Sequence, residues 1–199
     1  MKTSNFLAVI FSLAFLCSCA KNDDGQLNPI AENIFRNLKS KLSVAQKNQI
    51  ADSLYFVLVA DTLAPFALAG DSSALAYPFS AQAYPIDLNK DGIEELFVSY
   101  GNLYTSGNTG VEICVFIKND QGIYQRNLGV SGMLPNVLKT VGNGYPDLLI
   151  GVPGMVYPIY KWNGNKYELG GQLLDRDYQQ TPMYEIDSLS SSYQKNIKM

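Results

Sequence analysis

Asp87-Leu88-Asn89-Lys90-Asp91-Gly92-Ile93-Glu94-Glu95-Leu96-Phe97-Val98 runs from a polar loop straight into an apolar strand. The loop half spaces its oxygen-bearing side chains as a hard cation requires. Calcium loops draw ligands from positions 1, 3, 5, 7 and 9, with Gly at position 6 for the sharp turn. Asp87, Asn89 and Asp91 fall at the first three of these, Gly92 at the sixth, Ile93 offers a backbone carbonyl and Glu95 falls at the ninth. Val98, not an acid, stands at position 12, where a full EF-hand places one, and no helix pattern follows. Leu96, Val98 and Tyr100 alternate instead with Phe97 and Ser99, the period-2 signature of a strand. The same residues also suit an Asx-rich hairpin turn without a metal.

This loop resembles the calcium loops of FG-GAP and VCBS repeats, closely over a dozen residues and loosely over about eighty. The resemblance implies one Ca²⁺ held by Asp87, Asn89, Asp91, Ile93 and Glu95, and blade-like antiparallel β-sheet around it. A fainter copy follows. Asn143-Gly144-Tyr145-Pro146-Asp147-Leu148-Leu149-Ile150 aligns with Asp91 to Val98 at an offset of 52 residues, and 158–169 mirrors the hairpin expected around Gly122 and Tyr124. Lys139 and Val141 occupy the first two ligand positions of the copy, so only the first loop is expected to bind an ion. Two copies do not close a propeller, which needs about four blades or more. An open sheet or small blade-like sandwich is expected.

Outward from this centre, Val111–Ile117 and Ile123–Gly129 read as a hairpin about an Asn119-Asp120-Gln121-Gly122 turn. Gly101 to Gly110 reads as a connecting loop beside the calcium site, or as a ligand-contact loop, and not as a P-loop, since no phosphate-binding motif follows it. Before the loop, Tyr77-Pro78 and Tyr84-Pro85 impose extended backbone, and Asp61 to Asp71 reads as loop. Earlier still, Asn28-Pro29 marks a helix start and Ser43-Val44-Ala45-Gln46 a capping box. Helices over about 29–40 and 44–58 are predicted, with apolar stripes that dock on a core. The fold class is α+β: an N-terminal helical pair (29–60) on a mostly antiparallel β domain (61–178) with two degenerate repeats. Residues 179–199, with Ser188 to Ser192, read as a polar surface tail.

The chain begins with Lys2 and an apolar run, Phe6 to Cys17, of signal-peptide length and shorter than the ~20 residues that span a bilayer. Leu16-Cys17-Ser18-Cys19 resembles the lipobox of bacterial lipoproteins, which implies cleavage after residue 18, lipid on Cys19 and a polar tether over 19–28. Asp23 and Asp24 resemble a surface-export tract, and read equally well as solvated tether. The implied address is the outer membrane, on its periplasmic or outer face. The chain as a whole is similar to Gram-negative envelope lipoproteins with DxNxDG and NGYPDLLIG segments.

Composition narrows the function. Of 199 residues 47% are apolar and 17% charged, as in globular domains. The net charge of −3 leaves no basic footprint for nucleic acid. His is absent, which removes Ser-His-Asp and Cys-His catalysis and His-containing zinc sites. Of the three cysteines, Cys114 sits in an apolar run and reads as a buried small hydrophobe. Thirteen Tyr and one Trp fit a β-rich binding surface. A module contacting an envelope protein or glycan is therefore expected, without catalysis. The alternatives are a glycoside-type hydrolase built from Asp87, Asp91, Glu94, Glu95 and Glu112, and a purely structural envelope protein.

Overall fold

The computed structural model describes residues 25–140, 144–151 and 156–198. The segment 1–18, Cys19, Val141 and Asn143 lie outside them. Helix α1 spans Pro29–Phe35, started by the Asn28 side chain, which accepts the Ala31 amide. Helix α2 spans Val44–Ser53 behind the Ser43–Gln46 capping box. Both are shorter than predicted. Tyr55 adopts a left-handed φ of 55°, which turns the chain out of the helix. Phe56–Leu58 then forms strand β1, so Val57 and Leu58 are strand residues, not helical ones. β1 pairs with β2 (Phe66–Leu68), a strand inside the expected Asp61–Asp71 loop.

The body is two antiparallel meanders. Ala81–Ile86 (β3), Glu95–Tyr100 (β4), Glu112–Lys118 (β5) and Tyr124–Ser131 (β6) make a sheet in chain order. The β4–β5 connection carries a single helical turn, α3 (Leu103–Ser106). Asn136–Leu138 (β7), Leu148–Leu149 (β8), Tyr157–Trp162 (β9) and Tyr167–Leu173 (β10) make the second meander. The predicted tail is not a tail. After α4 (Asp175–Tyr178), Met183–Glu185 (β11) pairs with β7, and Ile186–Asn196 forms α5. Ile186 and Ser190 are buried there. The polar Ser188–Ser192 stretch hid an amphipathic helix whose apolar contacts are few but central.

The internal repeat extends to the hydrogen bonds. Both hairpins carry a bulge after the third pair beyond the turn, at Asn127 between β5 and β6 and at Gly170 between β9 and β10. The first strand residue after each turn is a buried Tyr. Tyr124 donates its hydroxyl to the Glu94 carbonyl at 2.6 Å, and Tyr167 donates to the Pro146 carbonyl at 2.8 Å. Glu94 and Pro146 are the residues that the offset of 52 aligns. Gly92 and Gly144 keep positive φ values of 89° and 99° in the two loops.

The alternation of β4 and β5 splits the core. Leu96, Val98, Tyr100, Cys114 and Phe116 face α1, α2 and the β1–β2 hairpin. Phe97, Ile113, Val115 and Ile117 share a second cluster with Val137, Leu148, Ile150, Tyr167 and Ile186. The first meander is thus the middle layer, covered by helices on one face and by the second meander and α5 on the other. Cys114 is fully enclosed, and burial pushes its thiol up to about 11.

Candidate metal loop and adjoining groove

The Asp87 loop joins β3 to β4 at one end of the first meander, and its side chains organise its own backbone. Asp87 Oδ2 accepts the Gly92 amide at 3.0 Å, Asn89 Oδ1 the Asp91 amide at 3.1 Å and Asp91 Oδ1 the Ile93 amide at 2.7 Å. Each bond fixes one oxygen of a predicted ligand. The positive φ of Gly92, and of Lys90 at 63°, lets the chain wrap this tightly. A Cβ at Gly92 meets nothing within 4 Å, so conformation rather than space calls for Gly there.

The remaining oxygens bear on whether a cation fits. Asp87 Oδ1 is buried and has no hydrogen-bond partner, the one such side-chain atom among the described residues. A buried carboxylate oxygen without a donor is costly, and a bound cation would satisfy it. Asp91 Oδ2 accepts from Asn89 Nδ2 at 2.8 Å within the same loop. Among the described residues no three Asp, Glu or Cys side chains gather around one point. The side-chain oxygens of Asp87, Asn89 and Asp91 that are bonded all bond within the loop itself.

Glu95 is placed differently from the rest. It is the first residue of β4, is buried, and lies beneath the loop. Its Oε2 accepts the Leu88 amide at 2.7 Å and its Oε1 the Tyr145 hydroxyl at 2.9 Å. Burial pushes its carboxyl up to about 7 against the pull of those two donors. Both oxygens are committed, so Glu95 clamps the loop to the second repeat. The period-2 pattern carried this signal: Glu95 shares the Phe97 face, which meets the second meander.

Two features were missed from sequence. Glu94 is buried, and its carboxylate accepts from the Ser40 hydroxyl, from the Lys41 amide at 2.8 Å and from the Tyr193 hydroxyl at 3.2 Å. It therefore ties the α1–α2 connection and α5 to the start of β4. Burial holds its pKa above the ordinary range, opposed by those donors. Glu112, by contrast, bonds Ser131 on the neighbouring strand. The second feature is a groove of about 590 Å³ beside the loop, walled by Asn89, Asp91 and Ile93 and by the ends of both hairpins, with Tyr145 and Trp162 in its lining. Comparison with protein-family models, curated proteins and solved structures returns no match to this chain.

Proposed function

We propose that this chain is a lipid-anchored envelope protein that acts as a non-catalytic binding module, its β body stabilised by one Ca²⁺ at the Asp87 loop. The observation that carries the calcium assignment is the partnerless Asp87 Oδ1, buried beside the Gly92 turn. Asp87, Asn89, Asp91 and the Ile93 carbonyl would hold the ion. Glu95, bonded to Leu88 and Tyr145, would hold the loop in place rather than the ion. Calcium would supply cross-linking of the loop, not chemistry.

Extracellular modules bind calcium with Kd on the order of 10⁻⁴ to 10⁻³ M. At a Kd near 10⁻⁴ M and about 1 mM free ion, mass action contributes roughly 1.4 kcal/mol. The melting temperature should rise by roughly 3–6 °C on adding calcium to chelated protein. Asp91→Ala should abolish the rise, and titration should saturate near one equivalent because Lys139 replaces the first ligand of the second loop. Equal melting of wild type and Asp91→Ala, with calcium and with chelator, would reduce the loop to a turn.

The anchor rests on Leu16-Cys17-Ser18-Cys19. Acyl chains contribute ~0.8 kcal/mol per buried CH₂, so several chains bind a membrane durably. Cys19→Ser should move the protein from the membrane fraction to the soluble one, or leave it unprocessed. Metabolic labelling that puts no lipid on the wild-type chain rejects the anchor.

Asp91 and Asp120 both line the groove, but both are exposed. The buried acids Glu94 and Glu95 are closed in by hydrogen bonds to the protein itself. A glycosidase, esterase and peptidase screen should therefore show no activity. Turnover lost in Glu112→Gln would establish the hydrolase instead.

A further inference from the structure

We propose that the groove between the Asp87 loop and the two hairpin ends is a saccharide-binding site for a neutral glycan. This names the ligand class of the binding module proposed above and rests on that reading.

The groove brings together the three parts of the chain that the repeat places at one end of the sheets. Its aromatic part is Tyr145 and Trp162, both partly exposed, with ring centroids 4.5 Å apart and planes inclined at 52°. Neither ring is loose. The Tyr145 hydroxyl is held by Glu95, and Trp162 lies edge-on to buried Tyr167 at 5.5 Å. The bulge residue Asn127 locks the hairpins to each other: its amide nitrogen donates to the Asn165 carbonyl at 3.1 Å and its oxygen accepts the Tyr167 amide at 2.9 Å. Rigid aromatic surface and a fixed frame lower the ordering cost of binding.

Around those rings stand groups that the fold does not use. Among the described residues, the side chains of Asp120, Gln125 and Asn165 carry no hydrogen bond, and all three are exposed. Asn119 spends its oxygen on the Gln121 and Ile123 amides at 3.0 and 2.9 Å and keeps its NH₂. A side-chain amide both donates and accepts, as a sugar hydroxyl does. A sugar ring also has an apolar face for an aromatic side chain. Charge argues the same way. Among the described residues Lys118 is the one cation in the lining, against Asp91 and Asp120, which disfavours phosphates and uronates. A peptide would look for an unpaired strand edge, and this groove is walled by turns and side chains instead. Its volume of about 590 Å³ lies within the range of small-molecule sites.

Trp162 is the only tryptophan, so its fluorescence reports on this groove alone. The full-length detergent-solubilised protein is titrated with cello-, malto-, xylo- and mannohexaose, once with calcium and once with chelator. At least one sugar should change Trp162 emission saturably. Gln125→Ala and Asn165→Ala replace exposed side chains that hold nothing else, so they should fold as wild type. Each should weaken that sugar by about threefold and the pair by about tenfold, a tenfold loss corresponding to 1.4 kcal/mol. Trp162→Ala, read by calorimetry, should lose binding. If no sugar changes the emission, or if the double variant binds as wild type does, the groove is not a saccharide site. The calcium-dependent melting shift is read separately in the same samples. A shift without sugar binding sinks the groove alone, and sugar binding without a shift sinks the calcium site alone.

Discussion

Glu94→Ala should lower the melting temperature by roughly 6–12 °C, from a loss of about 3 kcal/mol. Three donors converge on this buried carboxylate from two distant parts of the chain: Ser40 and Lys41 from the α1–α2 connection, and Tyr193 from α5. Hydrogen bonds to a charged group contribute about 1.5–3 kcal/mol each, and the desolvation that raises the Glu94 pKa takes part of that back. Tyr193→Phe removes one donor and should cost about 1 kcal/mol. Combined with Glu94→Ala it should add little, because the acceptor is already gone. Additive losses would show that Tyr193 acts elsewhere. An unchanged melting temperature in Glu94→Ala would show that the helical layer docks without this tie.

Ile186→Ala is expected to cost about 3 kcal/mol, again roughly 6–12 °C in melting temperature. Ile186 is fully buried and shares the cluster between the meanders with Phe97, Ile113 and Leu148. Thermal unfolding checks it. A loss within ~0.5 kcal/mol, the usual size for a surface position, would return residues 179–199 to the status of a tail.

What could be read from the sequence was whatever repeats over short distances. The alternation after Gly92 placed β4 and divided its faces, and the Ser43 capping box and Gly122 turn placed their elements. The two meanders followed from an offset visible in eight residues. What could not be read depends on partners far along the chain. Val57 and Leu58 continued a helical spacing, and only the left-handed Tyr55 ends it. Nothing near Ile186 in sequence shows that it enters a core whose other buried members run from Tyr84 to Tyr167. Glu94 looked like one more acid in an acidic loop, because its three donors lie 53, 54 and 99 residues away. The loop itself was legible as an Asx-rich turn about Gly92. That Glu95 would bond the second repeat's Tyr145 was not, although strand parity already put it on that side.

Cys114 lies at the centre of β5, on the face packed against the helices, with a fully enclosed thiol that burial holds in its protonated form. Thiol reagents attack the thiolate, so neither the reagent nor the reactive species exists at that site while the layers stay together. Alkylation of Cys114 can then proceed only as often as β4, β5 and β6 part from α1 and α2. The residue is a built-in clock for that opening: its labelling rate, followed over time in unmodified protein, counts the separations of the middle layer from its helical cover.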